Sequence, residues 1–81
     1  MKTINIKKSA AKLLARAAND APRIRKALDR YAETGHGDVA PVIGQPGIYR
    51  MRVGAWRIFF TETVDQITVQ LIEKRGDAYR R

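Results

Sequence analysis

The chain has 81 residues, with 16 Lys and Arg against eight Asp and Glu, no cysteine and a formal net charge of +8. That length allows one domain, residues 1–81, with a modest core. The absence of cysteine excludes a disulfide framework or a thiolate metal site and fits a reducing, cytoplasmic setting, and no run reaches the ~18 apolar residues of a membrane span.

The opening MKTINIKKSAAKLLARAAND is basic with an apolar patch, but Lys12 and Arg16 interrupt that patch, so a signal peptide is not expected. Lys2–Ile6 alternates: Thr3 and Asn5 point one way, Ile4 and Ile6 the other, as in a short strand. Ser9 is a plausible N-cap for a helix running to about Ala18, broken at Asn19-Asp20. Asp20 suits the N-cap of a second helix, with Pro22 in its first turn, where a missing N–H costs little. Ile24, Ala27, Leu28 and Tyr31 form one apolar stripe on it, and Arg23, Lys26 and Arg30 an opposite basic one. Gly35 ends the helix by accepting a left-handed conformation.

Residues 35–47 hold four of the six glycines and two of the three prolines, which predicts a loop, with Val42-Ile43 as a short apolar anchor. From Ile48 the period becomes two. Strands are expected over about 48–53, 56–62 and 66–73, with Gly54-Ala55 as a two-residue hairpin turn between the first two. That turn pairs Val53 with Trp56, Arg52 with Arg57, Met51 with Ile58, Arg50 with Phe59 and Tyr49 with Phe60. Tyr49, Met51, Val53, Trp56, Ile58 and Phe60 then share a face that seats the helices. The third strand is expected to place Ile67, Val69 and Leu71 on one side and Thr68, Gln70 and Ile72 on the other. The fold class is therefore α+β: a short N-terminal strand, a two-helix hairpin and a three-strand antiparallel meander, with the helices on one face.

Arg50, Arg52 and Arg57 share the opposite face. Like charges directly opposite on a sheet are destabilising, so Arg52 against Arg57 suggests a bound anion. Guanidinium groups match phosphate in shape and stay charged at any working pH. The ending KRGDAYRR adds Lys74, Arg75, Arg80 and Arg81 around Tyr79, an interleaving of basic and aromatic groups that suits single-stranded nucleic acid. The competing reading is that Asp and Glu of the same chain neutralise these arginines.

The run IYRMRVGAWRIFF resembles the "YRLRVGDYRVIF"-type core of the RelE/ParE toxin superfamily, and KRGDAYRR resembles its "HRRDVYR"-type ending. The resemblance spans nearly the whole chain. It implies the toxin of a type II toxin–antitoxin system, of the RelE-like branch: a ribosome-dependent mRNA endonuclease that inhibits translation without a metal or small-molecule cofactor. It further implies a cognate antitoxin, the ribosome and mRNA as partners. By matched position, Arg57 contacts the scissile phosphate. Arg75 stabilises the transition state or supplies a proton there, and Tyr79 stacks or assists proton transfer. Arg50 and Arg52 fall where the family often has basic residues that hold RNA, and Lys74, Arg80 and Arg81 of the tail are expected to add RNA contacts. No histidine lies near the motif, and an unperturbed Tyr or Lys has a pKa near ~10. The general base is therefore unassigned.

Other chemistry-bearing residues carry less. His36, the single histidine, lies between two loop glycines and is expected to be solvated. Asp38, Glu62, Asp65 and Glu73 are scattered without a paired-carboxylate pattern. Trp56 and Tyr49 are core by alternation, and Tyr31 by its helix stripe. Two further functions remain open. One is a ParE-like toxin that inhibits DNA gyrase by binding protein; the other is an inactive relative that keeps only antitoxin recognition.

Overall fold

A computed structural model describes residues 1–17 and 19–74. The elements run β1 (Thr3–Ile6), α1 (Lys8–Arg16), α2 (Ala21–Thr34), β2 (Val39–Pro41), β3 (Tyr49–Val53), β4 (Trp56–Glu62) and β5 (Gln66–Lys74). The strands make one sheet in the order β1-β5-β4-β3-β2. β3, β4 and β5 are the expected antiparallel meander, extended by β1 parallel to β5 and β2 antiparallel to β3.

The hairpin has the register that its turn predicts: all five pairs from Tyr49 with Phe60 to Val53 with Trp56 are present. Gly54 has φ 61°, and no described residue other than glycine has positive φ. That combination is a type II′ turn, whose twist matches the strands it joins. Arg23 of α2 lies across this glycine, so closely that a Cβ there would clash with its guanidinium group.

One face of the sheet carries the helices. The largest fully buried side chains are Leu14 of α1, Ile24 and Leu28 of α2, and Met51, Ile58, Phe60, Ile67, Val69 and Ile72 of the strands. Burial of each such side chain is worth about 1.5–3 kcal/mol, and this is what holds two short helices to the sheet. The basic stripe Arg23, Lys26 and Arg30 faces solvent. Asp20 is the N-cap residue of α2, yet its carboxylate bonds no helix N–H; it accepts the Trp56 indole N–H at 2.9 Å instead. Tyr31 packs edge-on to Phe60 and donates its hydroxyl to Glu62 Oε1 at 2.8 Å, while Lys2 bonds the other oxygen of Glu62. Burial, then the Glu62 contact, pushes the Tyr31 phenol up to about 12.

Four local expectations change. α1 starts at Lys8, with Lys7 rather than Ser9 at the N-cap and no side-chain cap bond, and its C-cap is Ala17. Residues 35–47 are not all loop, because Val39–Pro41 pairs with β3 as an edge strand. Val42 is half-buried, but Ile43 is no anchor: the turn closed by Val42 N–H to Ile48 O leaves it 99% exposed.

The fourth change matters most. The β4–β5 register shifts between Phe59 and Phe60: Phe60 pairs with Val69 but Phe59 pairs with Leu71, so Gln70 is an extra residue. Beyond such a bulge every side chain changes face. Ile72 is therefore in the core at 0% exposure and Leu71 is on the outer face at 45%, the reverse of simple alternation.

Candidate functional site

The face away from the helices is built of cross-strand rows. The row nearest the hairpin turn reads Asp38, Arg52, Arg57, Glu73. Arg52 lies opposite Arg57, and Arg57 lies opposite Glu73. Asp38, just before β2, extends the row on the other side, where its carbonyl accepts the Arg52 backbone N–H at 3.0 Å. The next row is Ala40, Arg50, Phe59, Leu71. Farther along, Thr61, Thr68 and Asn5 continue the face, and Gln70 donates to Thr61 Oγ1 at 3.2 Å. Charge thus sits at one end and small polar groups at the other.

The arginine pair is neutralised within the chain. Arg52 Nε contacts Asp38 Oδ2 at 3.2 Å, and Arg57 Nη2 contacts Glu73 Oε1 at 2.8 Å. These flanking carboxylates relieve the repulsion of two opposed cations, so the Arg52–Arg57 pairing does not by itself require a bound anion. Arg50 differs. Among the described residues it has no carboxylate partner, and its Nε is buried without a hydrogen bond, as is that of Arg57. The face therefore offers three guanidinium groups, two of them with carboxylates that an incoming phosphate would have to share or displace.

The structure brings Arg50, Arg52 and Arg57 onto one surface and removes Lys74 from it. Lys74 pairs with Trp56, a core-face residue, and its ammonium lies over the indole ring at 5.8 Å. The cause is the bulge at Gln70, which exchanges Lys74 for Glu73 on the arginine side. Arg75, Tyr79, Arg80 and Arg81 lie outside the described residues.

Two participants escaped the sequence reading. Asp38 and Glu73 looked scattered because their relation to the arginines depends on pairings with β3 and β4 that local sequence does not display. For Glu73 the needed signal was a phase change in QITVQLIEK, and Leu71 hides it by fitting unbroken alternation. Phe59, half-buried beside Arg50, gives the face an aromatic surface. Among the described residues no three His, Cys, Asp or Glu side chains cluster as metal ligands, and no helix is long and apolar enough to cross a membrane. A groove of about 240 Å³ between β1 and α2, lined by Ile4, Ile6, Arg25, Leu28 and Asp29, is remote from the arginine row.

Comparison with solved structures places this architecture. A chain of the RelB–RelE antitoxin–toxin complex from Methanococcus jannaschii matches with a TM-score of 0.75 and 21% identity, covering 93% of this chain and 94% of that one. The archaeal RelE–RelB complex from Pyrococcus horikoshii matches at 0.75 and 20%, covering 93% and 96%. The DinJ–YafQ complex of E. coli matches at 0.74 with 10% identity, covering 99% and 100%. The fold is RelE-like. No family model matches the sequence, and neither does any curated protein.

Proposed function

We propose that the chain is the toxin of a type II toxin–antitoxin system, acting in the cytoplasm as a ribosome-dependent, metal-independent mRNA endonuclease. The observation that carries this reading is the placement of Arg50, Arg52 and Arg57 beside Phe59 on the open face of a RelE-like sheet. The structural neighbours from toxin–antitoxin complexes support the same class, and a cognate antitoxin is the expected partner.

Cleavage of RNA without a metal requires a deprotonated 2′-hydroxyl, an in-line phosphorus and a stabilised phosphorane. In this reading Arg57 engages the scissile phosphate, and Arg50 and Arg52 hold its neighbours. Phe59 offers a ring against which a base can stack. By the resemblance, Arg75 serves the phosphorane charge and Tyr79 stacks or assists proton transfer; both follow β5 in the sequence. Arg80 and Arg81 add phosphate contacts.

A second reading has one observation in its favour. Arg52 and Arg57 already hold carboxylates, and arginines so paired also suit docking to an acidic protein surface, as in a ParE-like gyrase inhibitor. Adding the purified protein to a reconstituted translation reaction and, separately, to a gyrase supercoiling assay separates the two. The endonuclease reading expects translation to stop and supercoiling to continue. Blocked supercoiling with unaffected translation would reverse it.

A further inference from the structure

Glu73 owes its place beside Arg57 to a break in the register of β5. In an unbulged β5, Ile72 would oppose Arg57 and Glu73 would oppose Trp56 on the helix side. The extra residue at Gln70 shifts the register by one and sets Glu73 across from Arg57, with Oε1 at 2.8 Å from Nη2. β-Bulges often re-aim side chains in this way beside active sites. The contact is only partly buried, the two side chains being 25% and 37% exposed, so the Glu73 carboxylate remains within reach of a substrate.

We propose that Glu73 is the general base of RNA cleavage, taking the proton of the attacking 2′-hydroxyl while Arg57 holds the phosphate. This rests on the endonuclease reading above. In-line attack puts the 2′-oxygen about 3–3.5 Å from phosphorus, and its base must lie about 2.6–3.2 Å from that oxygen. A carboxylate on one arm of the Arg57 guanidinium and a phosphate oxygen on another bring both groups to one place. Carboxylates are ionised at neutral pH, whereas an ordinary Tyr or Lys is protonated there. The described lysine nearest in sequence, Lys74, lies on the other side of the sheet over Trp56.

The step balances without a co-reactant. A Glu73 oxygen takes the 2′-hydroxyl proton, and the freed electron pair forms the O2′–P bond. The P–O5′ bond breaks with its electrons on the 5′-oxygen, which takes a proton from water. A 2′,3′-cyclic phosphate and a 5′-hydroxyl result, and Glu73 returns its proton to water.

The test is single-turnover cleavage of an mRNA on programmed ribosomes by wild type, Glu73→Gln and Glu73→Asp. A second mRNA carries sulfur in place of the scissile 5′-oxygen, a leaving group that needs no proton. Glutamine keeps an oxygen for Arg57 but cannot accept the proton. Glu73→Gln is expected to cut about 10²–10⁴-fold more slowly, to bind RNA at least as tightly, and to stay equally impaired on the sulfur substrate. Glu73→Asp is expected to recover part of the rate. Cleavage by Glu73→Gln at the wild-type rate or faster would overturn the assignment and leave the carboxylate as a counter-ion, with the endonuclease reading intact. Rescue by sulfur would also overturn it, by moving Glu73 to the leaving-group side. A wild type that does not cut on ribosomes would overturn both.

Discussion

Arg57 on β4 and Glu73 on β5 face each other on the open side of the sheet, joined by a 2.8 Å contact that exists only because β5 carries one extra residue. The contact links the arginine with the strongest resemblance-based role to a carboxylate that had none. Because both side chains are only partly buried, Arg57→Ala is expected to shift unfolding stability by about 1–2 kcal/mol, through lost packing of the arginine stem as well as the ion pair. Urea denaturation checks this, and a small shift ensures that any loss of toxicity in that variant reports on chemistry rather than folding.

The bulge itself predicts opposite fates for adjacent apolar residues. Ile72 is fully buried and Leu71 is exposed. Ile72→Ala is expected to cost about 2–5 kcal/mol, and Leu71→Ala no more than about 1 kcal/mol. Unbroken alternation along β5 predicts the reverse ranking, so the pair of denaturation curves decides the register.

Gly54 is constrained twice, by its φ of 61° and by the Arg23 guanidinium lying over it. Gly54→Ala is expected to lose about 1–2 kcal/mol to the left-handed backbone alone. The steric part falls on the flexible end of Arg23, so combining it with Arg23→Ala should recover only a fraction of the thermal stability.

Much of this was legible from local pattern. The hairpin register followed from Gly54-Ala55 and the alternation on either side, and the α2 stripe followed from its spacing. What was not legible depends on distant partners. β2 is three residues long and is a strand only because β3 offers it an edge. The phase change in β5 puts Ile72 rather than Leu71 in the core, and two side chains of such similar hydrophobicity are not ranked by local sequence. Asp38 and Glu73 join the arginines only after both of those pairings form.

Tyr31 provides a pH signature. Its pKa in the fold is raised to about 12 from 10.0, by burial first and by Glu62 second. Between those values the unfolded chain loses the phenolic proton and the folded chain keeps it, so stability falls as pH rises. Below pH 10.0 the contribution is fully present. Thermal unfolding of wild type and Tyr31→Phe across this range is expected to show the steeper decline in wild type.

RNA binding should distinguish the arginines. Arg50 has no carboxylate among the described residues, whereas Arg52 shares its charge with Asp38. Arg50→Ala is therefore expected to weaken single-stranded RNA binding more than Arg52→Ala does. It should also reduce the slope of log affinity against log salt by about 0.7 for each phosphate that the variant no longer neutralises. Fluorescence anisotropy over a salt series checks both. A wild-type affinity independent of salt would assign the arginines to a protein partner.

The central claim is tested most directly by mapping RNA 5′ ends across the transcriptome after brief induction, with Arg57→Ala induced in parallel. The endonuclease account predicts new ends inside translated codons, absent in the variant. Growth arrest without new ends, or the same ends with Arg57→Ala, would contradict it.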